Sequence, residues 1–473
     1  MLYLIIRKEI HDNVLNVRFV GACLVSIILI ISSIVVLSDS YTGELRDYQN
    51  RVITQDQFID QYGHSNRISW MSQLMREPSR YHSLVAGIDH EAAQQNFVSN
   101  PIPVLLPRLD FVAIVTIIVS LMAILFSYNA VSGEREDGLL KLMLSTSVSR
   151  GTIILGKFIG GNISLLIPFT IGVLCGLIYM ALNPGLQLQT MDLNVFLLLL
   201  IASFLYISAF YAASLFCSTR SQTSNEAVLK SLFAWILFVL LIPNISPSIA
   251  SQVYSIPSAT QIDQDVFRIT SEERDKIINQ RQQDMLQKEY PDVVAARGLN
   301  QQEMQSKLNS DPAFKERYTL YSKEYDTMVA QVNNEQQQQA KKILADFASR
   351  SGYQEKLARI FASFSPFSNY VFIATDLTET GIDADDRWES LASAYERELR
   401  SFTDKKYESE KQKNPAFTSN DYLDLRDRPR FHYQPPGIVE RSALVLLPFG
   451  LLMGFVFLFL TAAVVSFLKY DVR

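Results

Sequence analysis

Cysteine and histidine are scarce in this 473-residue chain, with three copies of the first and five of the second. Three thiols build no disulfide framework, and Cys23, Cys175 and Cys217 all lie in apolar runs, where a thiol behaves as a small hydrophobe. His11, His64, His82, His90 and His432 have no metal-ligand spacing and none pairs with a cysteine, so no metal centre is expected. Charge is thin as well: Asp, Glu, Lys and Arg make up 19% of the chain, against about 25% in a typical soluble protein. A basic surplus is missing, with 43 Lys and Arg against 48 Asp and Glu and a sequence pI near 5.7. A nucleic-acid binder needs the opposite balance to displace counterions from phosphate, so nucleic acid is excluded as a partner. Catalytic groupings are absent too. Ser145, Ser147 and Ser149 have no histidine base nearby in sequence, and the carboxylates are interleaved with Lys and Arg as on a solvated helix surface. The chain reads as a non-enzyme.

Long apolar runs are what the chain has. Apolar residues reach 48% and the mean hydropathy is +0.10, the average expected of membrane spans mixed with polar domains. About 20 apolar residues in a helix cross a hydrocarbon core of about 30 Å. Six segments meet that requirement: 19–37, 109–128, 160–182, 193–216, 228–249 and 442–468. Lipid offers no hydrogen-bond partners, so each is a helix. The first run is longer than a signal-peptide core and no small-x-small site follows Leu37, so it reads as an uncleaved anchor. The fifth meets Pro243 and Pro247 at its end, which predicts a bent or re-entrant finish.

The fold class is therefore mainly α, a polytopic membrane protein with six transmembrane helices and a helical extracytoplasmic domain. Residues 1–18 form an amphipathic interfacial helix, with Leu2, Ile5, Ile6, Ile10, Val14 and Val17 apolar and Arg7, Lys8, Glu9, Asp12 and Asn13 polar. Span 1 (19–37) is followed by an insertion over 38–108, spans 2–5 occupy 109–249 around a loop at 129–159, and a helical domain fills 250–441 before span 6 (442–468) and the tail 469–473. Lys and Arg gather in the lead, in the 129–159 loop (Arg135, Lys141, Arg150, Lys157), at Arg220 and Lys230, and at Lys469 and Arg473. The positive-inside rule puts these segments and both termini in the cytoplasm, and the two long insertions outside.

In the larger insertion, Thr270 to Glu273 fits a capping box for a polar helix stopped by Pro291. Asp311-Pro312 starts a second helix. Along it Phe314, Tyr318, Tyr321, Tyr325, Met328 and Val332 alternate spacings of four and three, a stripe that a neighbouring helix or a second copy must cover. Two more helices are expected from about Pro366 to Thr380, with Gly381 as C-cap, and from about Ala384 to Ser401. Inside the spans, Asp110, Glu226 and Lys230 lie near the ends rather than the midplane, which disfavours an ion- or proton-coupled carrier. The pairs Gly156/Gly160, Gly172/Gly176 and Gly450/Gly454 permit close helix approach.

Gly151 to Lys157 matches a phosphate-binding loop, but Phe158 replaces its Ser or Thr and no buried strand precedes it. It reads instead as a membrane-entering helix with Lys157 at headgroup level. Just before it comes the most informative segment, Ser132-Gly133-Glu134-Arg135-Glu136-Asp137-Gly138 followed by a short apolar helix from Leu139 to Leu144 and a Ser149-Arg150 turn. Such a charged turn, glycine and apolar helix between two spans make a knob that a soluble partner can grip.

This segment resembles that of the permease subunits of type-two ATP-binding-cassette exporters, in the subgroup with a large extracytoplasmic insertion before the last span. The usual pattern differs at Leu139, where Thr is frequent, and at Ser147, where Pro is frequent. The Ser365-Pro366 helix and Thr380-Gly381 are similar to that subgroup as well. The resemblance implies a separate cytoplasmic ATPase subunit docked on the loop, a second permease, identical or similar, completing a dimer, and a place in the bacterial inner membrane. ATP and magnesium then belong to the partner subunit and no cofactor to this chain. Carried over by position, Glu134, Arg135, Glu136 and Gly138 sit at the ATPase contact, Leu139, Leu140, Leu142 and Leu144 pack the coupling helix, and Arg150 closes it. Tyr206, Ser208, Tyr211 and Trp235 are the candidates for lining the translocation path. Two other readings stand beside export: an ATP-driven mechanical transmitter acting on an envelope partner through the outer domain, and a membrane-anchored receptor or scaffold.

Overall fold

The structure, a computed structural model, describes residues 2–64, 68, 74–87, 109–145, 148–183, 186, 190–296 and 298–469. Among them every regular element is helical, and one isolated antiparallel bridge joins His64 to Tyr422. The expected positions of His90, Ser147 and Arg473 lie outside the described residues.

The helices run in the order α1 (Leu2–Val14), α2 (Val17–Tyr62), α3 (111–127), α4 (Ser132–Glu136), α5 (Leu139–Leu144), α6 (Arg150–Leu182), α7 (Thr190–Arg220) and α8 (Ser224–Val253). Then come α9 (259–288), α10 (Pro291–Ala296), α11 (Gln301–Ser310), α12 (Pro312–Ala362), α13 (Pro366–Thr378), α14 (Ile382–Lys413) and α15 (Ile438–Leu468). Six of them, α2, α3, α6, α7, α8 and α15, are long and apolar enough to cross a membrane. The helix that holds the first span does not stop at Leu37. It runs on to Tyr62, 46 residues in all from Val17, because the polar stretch after Leu37 holds no proline and keeps its backbone bonds internal.

The chain divides into two compact units, residues 1–243 with 362–473, and residues 244–361. In the first, α3 and α7 form the centre, with 67% and 61% of their most apolar stretches buried against 11% for α8 and for α15. Val115, Val119, Phe169, Leu199, Tyr206, Ile207 and Leu452 meet there. Lipid tails are as apolar as these side chains, so close packing and interhelical hydrogen bonds, rather than transfer from water, hold the spans together.

Helix α13 belongs to this unit although it lies between the fifth and sixth spans in sequence. Ser365 caps it, accepting from Phe367 N at 3.0 Å while donating to the carbonyl of Phe238 in α8. Tyr370 is fully buried, shares a 2.9 Å hydrogen bond with Ser203 and stacks on Tyr206 at 5.0 Å. The stretch 250–441 is thus divided, its part from 362 onward packing with the spans. The cap expected at Gly381 falls elsewhere: Glu379 takes the left-handed conformation that ends α13, at φ 58°, and Gly381 instead precedes α14. The Glu379 carboxylate is held there by Arg387 at 2.9 Å, Tyr433 at 3.0 Å and Arg441 at 3.6 Å.

A second, smaller core joins Ile59, Leu399, Leu423 and Leu425. It is pinned by Arg428, whose buried guanidinium bonds Asp56, Asp60 and the carbonyl of Leu425.

Two other expectations are corrected. The capping box lies at Ser258 and Gln261, at the start of α9, while 268–273 forms a wide π-turn inside that helix. Thr270 caps nothing because its N–H already lies inside a helix. Likewise α8 has no re-entrant finish: it continues as a helix past Pro243 and Pro247 to Val253, with a π-turn over Ile236–Leu241 just before them, and prolines and wide turns are where helices bend.

In the unit 244–361, Asp311 caps α12 through Ala313 N and Phe314 N at 3.1 Å each. The aromatic stripe is covered within the unit: Phe314 packs with Leu286, Tyr290 and Val293, and Tyr321 accepts a hydrogen bond from Gln282 at 2.9 Å.

Candidate functional site

The 129–159 loop is fastened at both ends. At its start, Ser218 Oγ of α7 accepts from the backbone N–H groups of Val131 and Ser132 at 3.0 Å each. Arg135 donates to the carbonyls of Ser221 and Thr219, the acceptors that the end of α7 leaves unpaired. Glu136 accepts from Ser224 Oγ, the first residue of α8, at 2.6 Å. At the loop's other end Ser149 caps α6, and Arg150 donates to the carbonyls of Leu468 at 2.9 Å and Phe467 at 3.5 Å, the last turn of α15. A cation there satisfies orphan carbonyls and opposes the helix dipole.

Between these ties the backbone turns at Gly138, whose φ of +74° is a left-handed conformation that a side chain disfavours. Helix α5 follows and divides its leucines. Leu140 is buried against the spans and Met143 and Leu144 pack beside it, whereas Leu139 and Leu142 are 50% and 71% exposed. The sequence-selected residues therefore separate into two groups. Glu134, Arg135, Leu140 and Arg150 are engaged with this chain's own helices, as is the exposed Glu136 through Ser224. Glu136, Gly138, Leu139 and Leu142 are exposed, with Leu144 intermediate.

Glu134 leads to a residue whose burial the sequence does not reveal. Lys157 does not extend its ammonium into solvent but is buried, 1% exposed, with Nζ 2.8 Å from Glu134 Oε1 and 2.8 Å from Glu9 Oε1 of α1. Lys8 also reaches Glu134, at 3.2 Å. Two carboxylates outweigh the pull of solvent on a single ammonium, which is why it turns inward. The phosphate-loop likeness of this string has a packing origin. A Cβ on Gly156 would lie 2.6 Å from Ile5 Cγ2, and one on Gly160 would lie 2.7 Å from Glu9 Cβ, so the pair is a seat for α1. Gly172 and Gly176 seat α2 in the same way, against Ile30 and Ile34, while Gly450 and Gly454 face nothing within 4 Å. A lysine two turns inside an apolar helix, beside two glycines, was the available signal for Lys157.

The four residues selected for a path lie in helix contacts of one subunit. Tyr206 Oη donates to the carbonyl of Thr116 at 2.9 Å, Ser208 Oγ to Asn162 Oδ1 at 3.0 Å, and Tyr211 Oη to the carbonyl of Lys157 at 3.4 Å. Trp235 Nε1 donates to Ser120 Oγ at 2.8 Å. Tyr206 and Tyr211 are fully buried. Among the described residues no group of three or more His, Cys, Asp and Glu is placed to hold a metal ion.

Residues 3–472 match a family described as ABC-2 family transporter protein. The probable ABC transporter permease protein NosY of Pseudomonas aeruginosa is 32% identical over 151 residues, which cover 32% of this chain and 53% of that protein. The protein of the same name from Stutzerimonas stutzeri is 34% identical over 130 residues, covering 27% of this chain and 47% of its own length. The chain spans about half the length of these curated relatives.

Proposed function

The chain belongs to the ABC-2 family of transporter proteins, as a multi-pass permease subunit of that type, and on this premise we propose that it couples ATP hydrolysis on a separate subunit to export of a substrate. The observation that carries the reading is helix α5. It exposes Leu139 and Leu142 beside Glu136, while Arg135, Glu136 and Arg150 fasten its flanks to the ends of α7, α8 and α15. An apolar patch at a surface is a contact site, and one fastened to several span ends transmits displacement to all of them. ATP with its magnesium is bound by the soluble partner, and this chain contributes no catalytic group.

The Lys and Arg distribution supports an orientation with α1, the 129–159 loop and both termini in the cytoplasm, and the family supports a bacterial inner membrane. A second permease, identical or similar, completes the path. Tyr206, Ser208, Tyr211 and Trp235 then act as the polar ties between helices that must rearrange when the path opens, rather than as its lining.

A second reading rests on the 51 continuous residues of α12, in which the ATPase drives outer helices against an envelope protein without flux. Purification of the tagged chain from its host, with assay of co-purifying ATPase, tests the coupling. Recovery of an ATPase that is lost with Leu142→Asp or Glu136→Lys supports it; purification of an intact complex without any ATPase overturns it. Transport in proteoliposomes then separates export from mechanical transmission.

A further inference from the structure

We propose that Lys157 is a positioning residue that locks α1 and the 129–159 loop into one moving body. Four charges, its own among them, alternate in sign: Lys8 of α1 to Glu134 of the loop, Glu134 to Lys157 of α6, and Lys157 to Glu9 of α1. Lys8 and Glu9 are neighbours in sequence, so the ring closes on α1 and its net charge is zero.

The members are not equivalent. Lys8 is 47% exposed, so its pair is screened and weak. Lys157 is buried, and Glu9 and Glu134 are largely covered, so the central cation carries the link. Glu134 Oε2 is buried with no hydrogen-bond partner among the described residues, which leaves this carboxylate held through Oε1 alone. Removing the ammonium sets two shielded carboxylates against each other and leaves both without a buried counter-charge. The glycine seat supplies the other half of the lock, since Gly156 and Gly160 let α1 approach closely enough for Glu9 to reach Lys157. A nucleotide-driven push on α5 is then passed to α1 through Lys157 as well as to the spans. This inference rests on the coupling role proposed above for its function, though the lock itself does not.

Spin labels at Tyr3→Cys and Ser145→Cys, both exposed positions, report the distance between α1 and the loop after Cys23, Cys175 and Cys217 are replaced. The purified full-length permease in lipid nanodiscs is measured without nucleotide, and its complex with the co-purifying ATPase is measured with ATP and vanadate. Native Lys157 is expected to give one narrow distance that nucleotide leaves unchanged. Lys157→Met broadens it without nucleotide, Glu9→Gln broadens it less, and Lys157→Arg restores the narrow distance. A narrow distance in both Lys157→Met and Glu9→Gln overturns the lock, as does a native distance that shifts with nucleotide. If no ATPase co-purifies, the coupling role fails, while the nucleotide-free distances still decide the lock.

Discussion

Trp235 Nε1 donates a 2.8 Å hydrogen bond to Ser120 Oγ, joining the residue before the π-turn of α8 to the residue after the π-turn of α3. Each turn releases a carbonyl to a neighbour: Thr116 accepts from Tyr206 and Phe238 from Ser365. Widened turns are places where a helix can change register or bend, and here two of them are tied side by side.

Removal of that tie has a defined size. Trp235→Phe keeps the ring packing and loses the donor, so a loss of about 1 kcal/mol is expected, in the range of interhelical hydrogen bonds in membranes. Ser120→Ala should cost a similar amount, and the double variant less than the sum, as read from thermal unfolding in one detergent.

The glycine seats predict a contrast within one residue type. Gly160→Leu places a side chain where Glu9 Cβ lies 2.7 Å away, so α1 must lift from α6 and stability should fall by about 1–3 kcal/mol. Gly450→Leu meets nothing within 4 Å and should leave the unfolding of the isolated subunit unchanged. Equal losses for the two variants would contradict the seat.

Arg428 and Arg430 both face Asp56, but only the first is buried, at 3% exposed against 61%. Arg428→Ala leaves Asp56 and Asp60 without their shared cation and is expected to cost about 2–3 kcal/mol, less than a fully enclosed pair because both acids keep some solvent. Arg430→Ala should cost under about 1 kcal/mol. Protease sensitivity of the 414–430 stretch provides a local readout.

Asp421 gives a pH dependence. Hydrogen bonds from Thr418 N at 2.6 Å and Thr418 Oγ1 at 2.9 Å hold its carboxyl below the ordinary carboxylate range. A lowered folded value means that the stabilisation is complete above the unfolded carboxylate pKa of about 4 and is lost as pH falls through the folded one. Hydrogen exchange at the Thr418 amide should therefore be pH-independent in protection above about pH 5 and lose protection in acid, and Asp421→Asn should flatten that dependence. Fully protected exchange well below the usual carboxylate range in the wild type would refute the assignment.

The spans were legible because their signal is local: about 20 apolar residues leave a chain in lipid no structure but a helix. The turn at Gly138 and the cap at Asp311 were legible for the same reason, each depending on a few adjacent residues. The Thr270 box failed although its spacing was right, since a cap exists only where a helix begins, and the neighbouring Ser258 box had already begun this one. The burial of Lys157 was not legible because burial depends on what stands opposite, and Glu9 and Glu134 lie 148 and 23 positions away in sequence.

Sequence by itself determined that this chain is a mainly α membrane protein with six spans, two insertions and a charged turn leading into a short apolar helix, because hydropathy and turn chemistry act over short distances. Tertiary structure alone decided which leucines of α5 face outward, that α13 packs among the spans, and that Lys157 joins α1 to the loop. Those outcomes depend on close approach and counter-charges contributed by segments remote in the chain, and no local pattern encodes what a distant helix will bring.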